Sequence, residues 1–230
     1  MKNLFFIPFL LLIACKEKLP AKSAPIAEEP IYHDIIREIY IDSISLGQKG
    51  KYKLELKKIE NPDSIYADIH FFEKNDNKWI EKQHFTFEKD GVTNCYPEYK
   101  DFNNDGFNDF IYVSAIAARS ANEVKKLFIF DPRRAVLLFI KNSEDYPNLQ
   151  YNKELDCVDA FSVYGGSSSH FLKIEGDMLR EFARIDLFNG YREIYRKDKS
   201  NKDFLIKRDT FGASYLRYKN FDPLEEYEDF

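Results

Sequence analysis

Residues 52–71, YKLELKKIENPDSIYADIHF, carry the pattern that decides the fold. Apolar and polar side chains alternate from Tyr52 to Leu56 and again from Ile65 to Phe71, with Asn61–Asp63 between the two runs. An alternation with a period of two residues puts one face of a β-strand on a core and the other face in water. Asn, Pro and Asp are the residues that tight turns prefer. The stretch therefore predicts two half-buried strands joined by a turn.

The same alternation recurs along the rest of the chain, and no long helical period interrupts it. Phe85 and Phe87 mark another short strand, whereas the segment from Ile31 to Leu46 fits either a helix or a strand. The sequence thus predicts an antiparallel all-β fold with propeller-like or sandwich-like sheets and at most one short helix. Further strands are expected at Phe110–Ala115, Lys126–Phe130, Val136–Ile140, Val158–Tyr164, His170–Glu175, Leu179–Ile185, Tyr191–Arg196, Phe204–Arg208 and Ser214–Tyr218.

The composition is that of a globular protein, because 44% of the 230 residues are hydrophobic and 16% are aromatic. The net charge of −5 argues against a nucleic-acid-binding protein, since such proteins concentrate positive charge against phosphates. No apolar run reaches the roughly 18–20 residues that a membrane-spanning helix needs.

The N-terminus is typical of an exported bacterial lipoprotein. A short positive segment with Lys2 precedes an apolar run from Leu4 to Ala14, which is of secretory length. The run ends in Leu12-Ile13-Ala14-Cys15, which resembles the bacterial lipobox. The resemblance implies cleavage before Cys15 and attachment of acyl chains such as palmitate to that residue, and more than one chain gives stable anchoring. A buried N-terminal strand or helix with an incidental cysteine is the alternative.

Lipidation predicts a location in the bacterial cell envelope, on the periplasmic face or the outer-membrane surface, with the lipid anchor as the contact to the membrane. Pro20, Pro25 and Pro30 lie in a segment without a packing pattern, which predicts a flexible tether. The expected organisation is a signal peptide, a tether, a single β domain and a frayed acidic tail, at residues 1–14, 15–30, 31–222 and 223–230.

Two cysteines remain once Cys15 is assigned to the anchor, namely Cys95 and Cys157. In an oxidising envelope they could form a disulfide, provided that their α-carbons come within about 7 Å. Two buried free thiols are the alternative, and the spacing of the cysteines leaves both open.

One segment, Asp101–Asp109, has the composition of a cation-binding loop, D-x-N-x-D-G-x-x-D. Calcium takes about six to eight oxygen ligands, and a glycine at the sixth position, here Gly106, permits a sharp backbone reversal. The twelfth position is Tyr112 and not the bidentate Glu of an EF-hand. An Asx-rich turn without an ion is the alternative. The sequence predicts a structural Ca²⁺ site with ligands from Asp101, Asn103, Asp105, Phe107 (through its carbonyl) and Asp109.

The loop and the strand that follows it resemble the calcium loops of FG-GAP-type propeller repeats, although the motif occurs once here. The order of segments is similar to that of small bacterial envelope lipoproteins with one such loop and propeller-like sheets. Some members of that family are immunity proteins that inhibit peptidoglycan-hydrolase effectors from neighbouring bacteria. The resemblance covers about residues 98–185 and rests on Asp101–Phe110, Leu127–Pro132, Val136–Ile140, Cys157–Tyr164, Gly165–His170 and Phe171–Arg180.

Signals for an enzyme are weaker than those for a binding protein. The histidines are widely spaced, at His33, His70, His84 and His170, and no pair has the spacing of a zinc site. The segment Gly165–His170 places serine beside histidine but lacks the final glycine of a nucleophile elbow, so a polar hairpin loop is the preferred interpretation.

The sequence therefore predicts a lipid-anchored, extracytoplasmic binding protein without catalytic residues, which acts as an inhibitor or immunity-type module on an envelope enzyme. Its expected partner is a protein, for example a peptidoglycan hydrolase, and its mobile loops are expected at Gly165–His170 and Ala115–Glu123. A carbohydrate-active hydrolase or a glycan-binding lipoprotein is the alternative function. A pair of carboxylates about 5–10 Å apart in a deep cleft would favour the hydrolase.

Overall fold

Antiparallel strands make up most of residues 33–228, the part of the chain that this computed structural model describes. All of these residues belong to one unit, Tyr32–Phe230. The first sheet contains four strands in chain order, β1 (Ile35–Asp42), β2 (Tyr52–Glu60), β3 (Ile65–Asn75) and β4 (Lys78–Glu88). The second sheet also contains four, β5 (Glu98–Lys100), β6 (Asp109–Ala117), β7 (Asn122–Asp131) and β8 (Val136–Phe139).

The third sheet contains six strands, again paired with their neighbours in the sequence. They are β9 (Gln150–Asn152), β10 (Cys157–Val163), β11 (Ser167–Glu175), β12 (Met178–Phe188), β13 (Tyr191–Lys197) and β14 (Asp203–Thr210). A terminal hairpin consists of β15 (Tyr218–Phe221) and β16 (Leu224–Glu226). The prediction of an antiparallel all-β fold is confirmed.

Helical structure within residues 33–228 is limited to two 3-10 turns of three residues, Ala118–Ser120 and Ser143–Asp145. None of the helices in this range has the length and hydrophobicity to cross a membrane. The segment from Ile31 to Leu46, which the sequence left ambiguous, contains the edge strand β1.

The second sheet is buried on both of its faces. Phe110 and Phe128 pair across β6 and β7 and pack against the first sheet, whereas the next pair, Ile111 and Leu127, packs against the third. Burial on both faces explains why these two strands contain unbroken apolar runs instead of the alternation seen from Tyr52 to Leu56. The first sheet contributes its inward side chains to this core, including Leu54, Leu56, Ala67, Ile69 and Phe71.

Side-chain amides connect neighbouring sheets through reciprocal hydrogen bonds with main-chain groups. Gln83 of β4 donates to the Leu137 carbonyl at 3.0 Å and accepts from the Leu137 N–H at 2.6 Å. Asn142, which follows β8, forms the same pair of bonds with Leu179 of β12, at 2.8 and 2.7 Å. Each amide thus gives a hydrogen-bond partner to one main-chain N–H and one main-chain carbonyl, which would otherwise lack partners.

The terminal hairpin covers the outer face of the third sheet, and Tyr218 is fully buried there. Residues 223–230 were expected to be frayed, which is wrong for the described part of the segment. Leu224–Glu226 forms a strand, and the Tyr227 hydroxyl donates to the Asp159 carboxylate at 2.5 Å. The segment is ordered because buried partners far away in the sequence bind it.

Cys95 and Cys157 are free thiols, so the structure excludes the disulfide alternative. Cys95 lies in the core between the first and second sheets, and Cys157 lies in the core beneath the terminal hairpin. Burial raises the pKa of each thiol to about 12. The predictions for the signal peptide 1–14, the lipidated Cys15 and the tether 15–30 lie outside the described residues.

Candidate functional site

The predicted calcium loop joins β5 to β6, and its first half closes on itself. The main-chain N–H of Asp105 lies 3.2 Å from both Asp101 Oδ1 and Asn103 Oδ1, and the Gly106 N–H donates to Asp101 Oδ2 at 2.8 Å. Gly106 has a φ of +87°, which favours glycine. The structure therefore brings the first three predicted side-chain ligands, Asp101, Asn103 and Asp105, into one exposed turn.

Asp109, the fourth predicted side-chain ligand, lies at the buried end of this loop. Its carboxylate accepts hydrogen bonds at 2.8 Å from the N–H groups of Phe102 and Phe130. Burial raises the pKa of Asp109 to about 7, and the negative charges of Asp105 and Asp101 add to this effect, against the opposing influence of the two N–H groups.

The loop carries negative charge, but its three carboxylates do not converge on one point. Asp101, Asp105 and Asp109 form no salt bridge with a Lys or Arg among the described residues. Within residues 33–228, however, the carboxylate and histidine ligand atoms that lie within 4.8 Å of one another belong to Asp68, His70 and His84. A calcium site at this loop therefore stays a prediction from the spacing of its oxygen ligands. Asn108 donates from its amide to the Ser45 carbonyl at 2.9 Å, so the loop also contacts the first sheet. Phe107, whose carbonyl was predicted as a ligand, places its ring 6.1 Å from that of Phe130.

Two of the histidines that are widely spaced in the sequence, His70 and His84, are neighbours in the structure. They are direct cross-strand partners on β3 and β4, and their rings stack at a centroid distance of 4.3 Å. Asp68 lies beside both of them on the same face of the first sheet. The sequence gives an approximate signal for this cluster. A hairpin centred on Asp76-Asn77 would pair His70 with Gln83, and the bulge between Phe71 and Phe72 moves the partner to His84.

The two predicted mobile loops are shorter than expected. Strand β6 continues to Ala117 and β7 begins at Asn122, so the first loop is a hairpin tip at residues 118–121. Strand β11 begins at Ser167, so the second loop is a tip at residues 164–166. The expectation that His170 belongs to a mobile loop is wrong, since it lies within β11.

The tip at residues 118–121 has a strained backbone. Ala118, Arg119 and Ser120 have φ values of +49°, +55° and +73°, respectively. These are left-handed conformations, which residues other than glycine rarely adopt and which cost free energy. Strain of this kind persists where the surrounding structure imposes it, and it is concentrated at functional sites.

Two asparagines join this tip to the third sheet. Asn122 donates to the Val163 carbonyl at 2.9 Å and accepts from the Val163 N–H at 2.8 Å. Asn148 donates to the carbonyls of Ala121 and Phe161, at 2.9 and 2.8 Å. The tips at 118–121 and 164–166 are therefore held side by side.

A third tip, between β12 and β13, lies at the same end of the third sheet. Gly166 is so close to this hairpin that a Cβ would lie 2.0 Å from the Leu187 carbonyl oxygen. The rings of Tyr164 and Phe188 are 6.1 Å apart, and the side chains are 47% and 49% exposed. We call residues 118–121, 164–166 and 188–191 the hairpin-tip surface.

A Ser-His-Glu series lies on the face of the third sheet. Ser162 Oγ is 3.1 Å from His170 Nε2, and His170 Nδ1 is 2.6 Å from Glu181 Oε2. Sequence reasoning considered the serines next to His170 in the chain and missed Ser162, which lies on the neighbouring strand. A nucleophilic serine also needs N–H donors for an oxyanion. The N–H groups flanking Ser162 are already bonded, Phe161 to the Pro147 carbonyl at 3.1 Å and Val163 to Asn122.

A cavity of ≈ 930 Å³ opens beside Glu181 and is lined by charged side chains. Glu181 forms ion pairs with Arg184 at 2.9 Å and with Lys197 at 3.5 Å. Burial by itself raises the carboxyl pKa of Glu181, but His170, Arg184 and Lys197 outweigh burial and hold the pKa below its ordinary value. The carboxylate is therefore ionised and occupied by cationic partners.

The sequence matches no protein-family model and no curated protein. Among solved structures, a Xanthomonas type IV secretion system related protein is similar, with a TM-score of 0.44 and 11% sequence identity over 69% of this chain and 90% of that chain. At this level of similarity, the function has to be argued from the residues of this chain itself.

Proposed function

We propose that this chain is a cell-envelope binding protein that inhibits a partner enzyme by covering its active-site cleft with the hairpin-tip surface. The observation that carries this proposal is the strained tip at residues 118–121, fastened to the neighbouring tip at residues 164–166. A preorganised surface loses little conformational entropy when it binds. A loop that its neighbours hold in a strained conformation is already ordered before binding, so it loses little further entropy.

The exposed side chains of the surface support a protein partner. Arg119, Tyr164, Phe188 and Tyr191 lie on it, and the three aromatic side chains are 40–49% exposed. Tyrosine and arginine are enriched among the residues that contribute most to the affinity of protein interfaces. The net charge of −5 favours a basic enzyme, because opposite charges accelerate association.

The proposal also includes a location at the membrane and a structural calcium ion. Lipidation at Cys15 would hold the domain at the membrane face where peptidoglycan hydrolases act, and residues 15–30 would give it reach. Bound Ca²⁺ at Asp101–Asp109 would neutralise the three carboxylates and stiffen the connection to the loop at Ser45. Its role in this proposal is structural.

The alternative of a carbohydrate-active hydrolase has weaker support. Such enzymes need a carboxylic acid that is protonated near neutral pH, beside a second carboxylate. In the cavity, Glu181 has a lowered pKa, and Glu175 pairs with Arg180 at 3.2 Å. Both N–H groups that flank Ser162 already donate to other acceptors, so neither serves an oxyanion at the Ser162–His170–Glu181 series.

A clearing assay distinguishes the two functions. The full chain, kept soluble in a mild detergent, is added to suspended peptidoglycan, alone and together with basic peptidoglycan hydrolases of different structural classes. We expect no clearing by the chain alone and slower clearing by at least one hydrolase at about micromolar concentration of the chain. Clearing by the chain alone, or undiminished clearing by every hydrolase, would contradict the proposal.

A further inference from the structure

We propose that Asp68, His70 and His84 form a binding site for a divalent transition-metal ion, with Zn²⁺ as the preferred ion. The site lies on the outer face of the first sheet, whereas the hairpin-tip surface belongs to the second and third sheets. The inference is therefore independent of the proposed function.

The strand pairing places the three side chains together. His70 and His84 are cross-strand partners, and Asp68 precedes His70 by two residues, so that all three project from one face of the β3–β4 pair. The opposite face, with Ile69 and Phe85, packs into the first core. Because the ladder and the core fix the backbone, the ligands are positioned before any ion binds.

The ligand atoms of the three residues converge. His70 Nε2 lies 2.9 Å from Asp68 Oδ2, and His84 Nε2 lies 2.6 Å from Asp68 Oδ1. One ligand atom from each of the three residues lies within 4.8 Å of the other two. Zinc–ligand bonds of about 2.0–2.1 Å in a tetrahedron separate neighbouring ligand atoms by about 3.3 Å, so small side-chain rotations would admit the ion.

Glu81 supplies the outer-shell contact that metal-binding histidines use. Its Oε2 lies 2.9 Å from His70 Nδ1, which can donate its hydrogen there. A hydrogen bond from Nδ1 leaves the Nε2 lone pair of His70 free to bind a metal ion beside Asp68. A carboxylate, a histidine and a metal ion in this order recur in zinc proteins.

The donor set and its surroundings select the class of ion. Two imidazole nitrogens and one carboxylate suit Zn²⁺ and its neighbours in the transition series, whereas Ca²⁺ and Mg²⁺ prefer oxygen ligands alone. The His84 side chain is 47% exposed and that of Asp68 is 14% exposed, so water can fill the remaining coordination position.

The arrangement of the two rings is compatible with one shared ion. Their centroids lie 4.3 Å apart, and the Asp68 carboxylate contacts the Nε2 atoms of both. As metal ligands, both rings are neutral and their Nε2 atoms face one positive ion.

The test is a calorimetric titration of the full chain, in mild detergent at neutral pH, with Zn²⁺ alone. We expect one Zn²⁺ per chain at these residues with a dissociation constant of about 1 µM or below. His84→Ala, at an exposed position, and His70→Gln should each weaken binding about 100-fold, and Glu81→Gln, which acts through His70, should weaken it about tenfold. Co²⁺ should give the absorption spectrum of a tetrahedral site, which His84→Ala abolishes.

Matched controls separate this site from other ligands in the chain. His33→Ala removes another exposed histidine and should leave the Zn²⁺ affinity unchanged, as should Asp105→Ala in the predicted calcium loop. A melting temperature close to that of the wild type in the absence of Zn²⁺ shows that a variant is folded. Absence of Zn²⁺ binding at about 100 µM, or equal affinities for the wild type, His84→Ala and His70→Gln, would overturn the inference.

Discussion

The side-chain amide of Asn122 forms two hydrogen bonds with the main chain of Val163, donating to its carbonyl at 2.9 Å and accepting from its N–H at 2.8 Å. Asn122 begins β7 of the second sheet and Val163 ends β10 of the third. This contact fixes the position of one hairpin tip relative to the next. The hairpin-tip surface is thus a product of sheet-to-sheet contacts.

Replacing Asn122 with Ala should therefore disturb both stability and binding. The substitution leaves the donor and acceptor of Val163 without partners, which should lower the free energy of unfolding by about 1–3 kcal/mol. Urea denaturation measures this loss, and the clearing assay should show weaker inhibition. Asn142→Ala is the matched control, because it removes the same pair of bonds, to Leu179, away from the tips. Equal inhibition by the two variants would contradict the role assigned to Asn122.

The buried ion pair between Arg217 and Asp159 should dominate the stability of the C-terminal hairpin. Both residues are at most 4% exposed, and Arg217 Nε donates to Asp159 Oδ1 at 3.0 Å. Arg217→Met leaves a buried carboxylate without its cation and should cost about 3–5 kcal/mol of unfolding free energy. Urea denaturation again provides the measurement. Arg133→Ala, at an exposed turn, should change stability by less than about 0.5 kcal/mol, and a similarly small effect of Arg217→Met would refute this prediction.

The contribution of Glu181 to stability should depend on pH. Its folded-state pKa lies below the ordinary value of 4.5, because His170, Arg184 and Lys197 overcome the effect of burial. A carboxyl group with a lowered pKa stabilises the fold above its unfolded-state pKa, and this stabilisation disappears as the pH falls through the folded-state pKa. Glu181→Gln should therefore be clearly less stable than the wild type near about pH 7, with a difference that shrinks below about pH 4. A difference that does not change with pH would show that this carboxylate is not ionised in the fold.

Calcium should raise the melting temperature of the chain if the loop at Asp101–Asp109 binds it. Ligands that bind only the folded state shift the unfolding equilibrium by mass action. Millimolar Ca²⁺ should raise the midpoint by several degrees, EDTA should reverse the effect, and Asp105→Ala should abolish it. Asp63→Ala, in the turn between β2 and β3, is the control and should retain the response. Identical melts with Ca²⁺ and with EDTA would mean that the loop is a turn without an ion.

The strands could be predicted from the sequence because the alternation at 52–71 is a local property of the chain. That the terminal segment folds against the domain could not be predicted, because Tyr227 binds Asp159, which is distant in the sequence. Distant contacts also explain why the strand position of Ser168 and Ser169 could not be predicted from their polar character, which suggested a loop. In the structure they lie in β11, where Ser168 Oγ donates to Asp186 at 2.6 Å and Ser169 Oγ accepts from Tyr218 N–H at 2.9 Å.

The sequence indicates the calcium loop more clearly than the cluster of Asp68, His70 and His84, because the cluster depends on strand pairing. The loop at Asp101–Asp109 is visible in the sequence because all of its candidate ligands lie within nine residues. The cluster at Asp68, His70 and His84 depends on the register of the β3–β4 hairpin, which includes a bulge between Phe71 and Phe72. A bulge shifts the pairing by one residue, so counting from the turn finds the partners only approximately.

The affinity of the chain for a hydrolase that it inhibits tests the central claim most directly. We predict that the double variant Arg119→Ala/Tyr164→Ala binds about 100-fold more weakly than the wild type, because both side chains lie on the hairpin-tip surface. The control double variant, Arg133→Ala/Phe204→Ala, removes an exposed arginine and an exposed aromatic residue elsewhere, and its affinity should equal that of the wild type. Equal affinities for the two double variants would contradict the account.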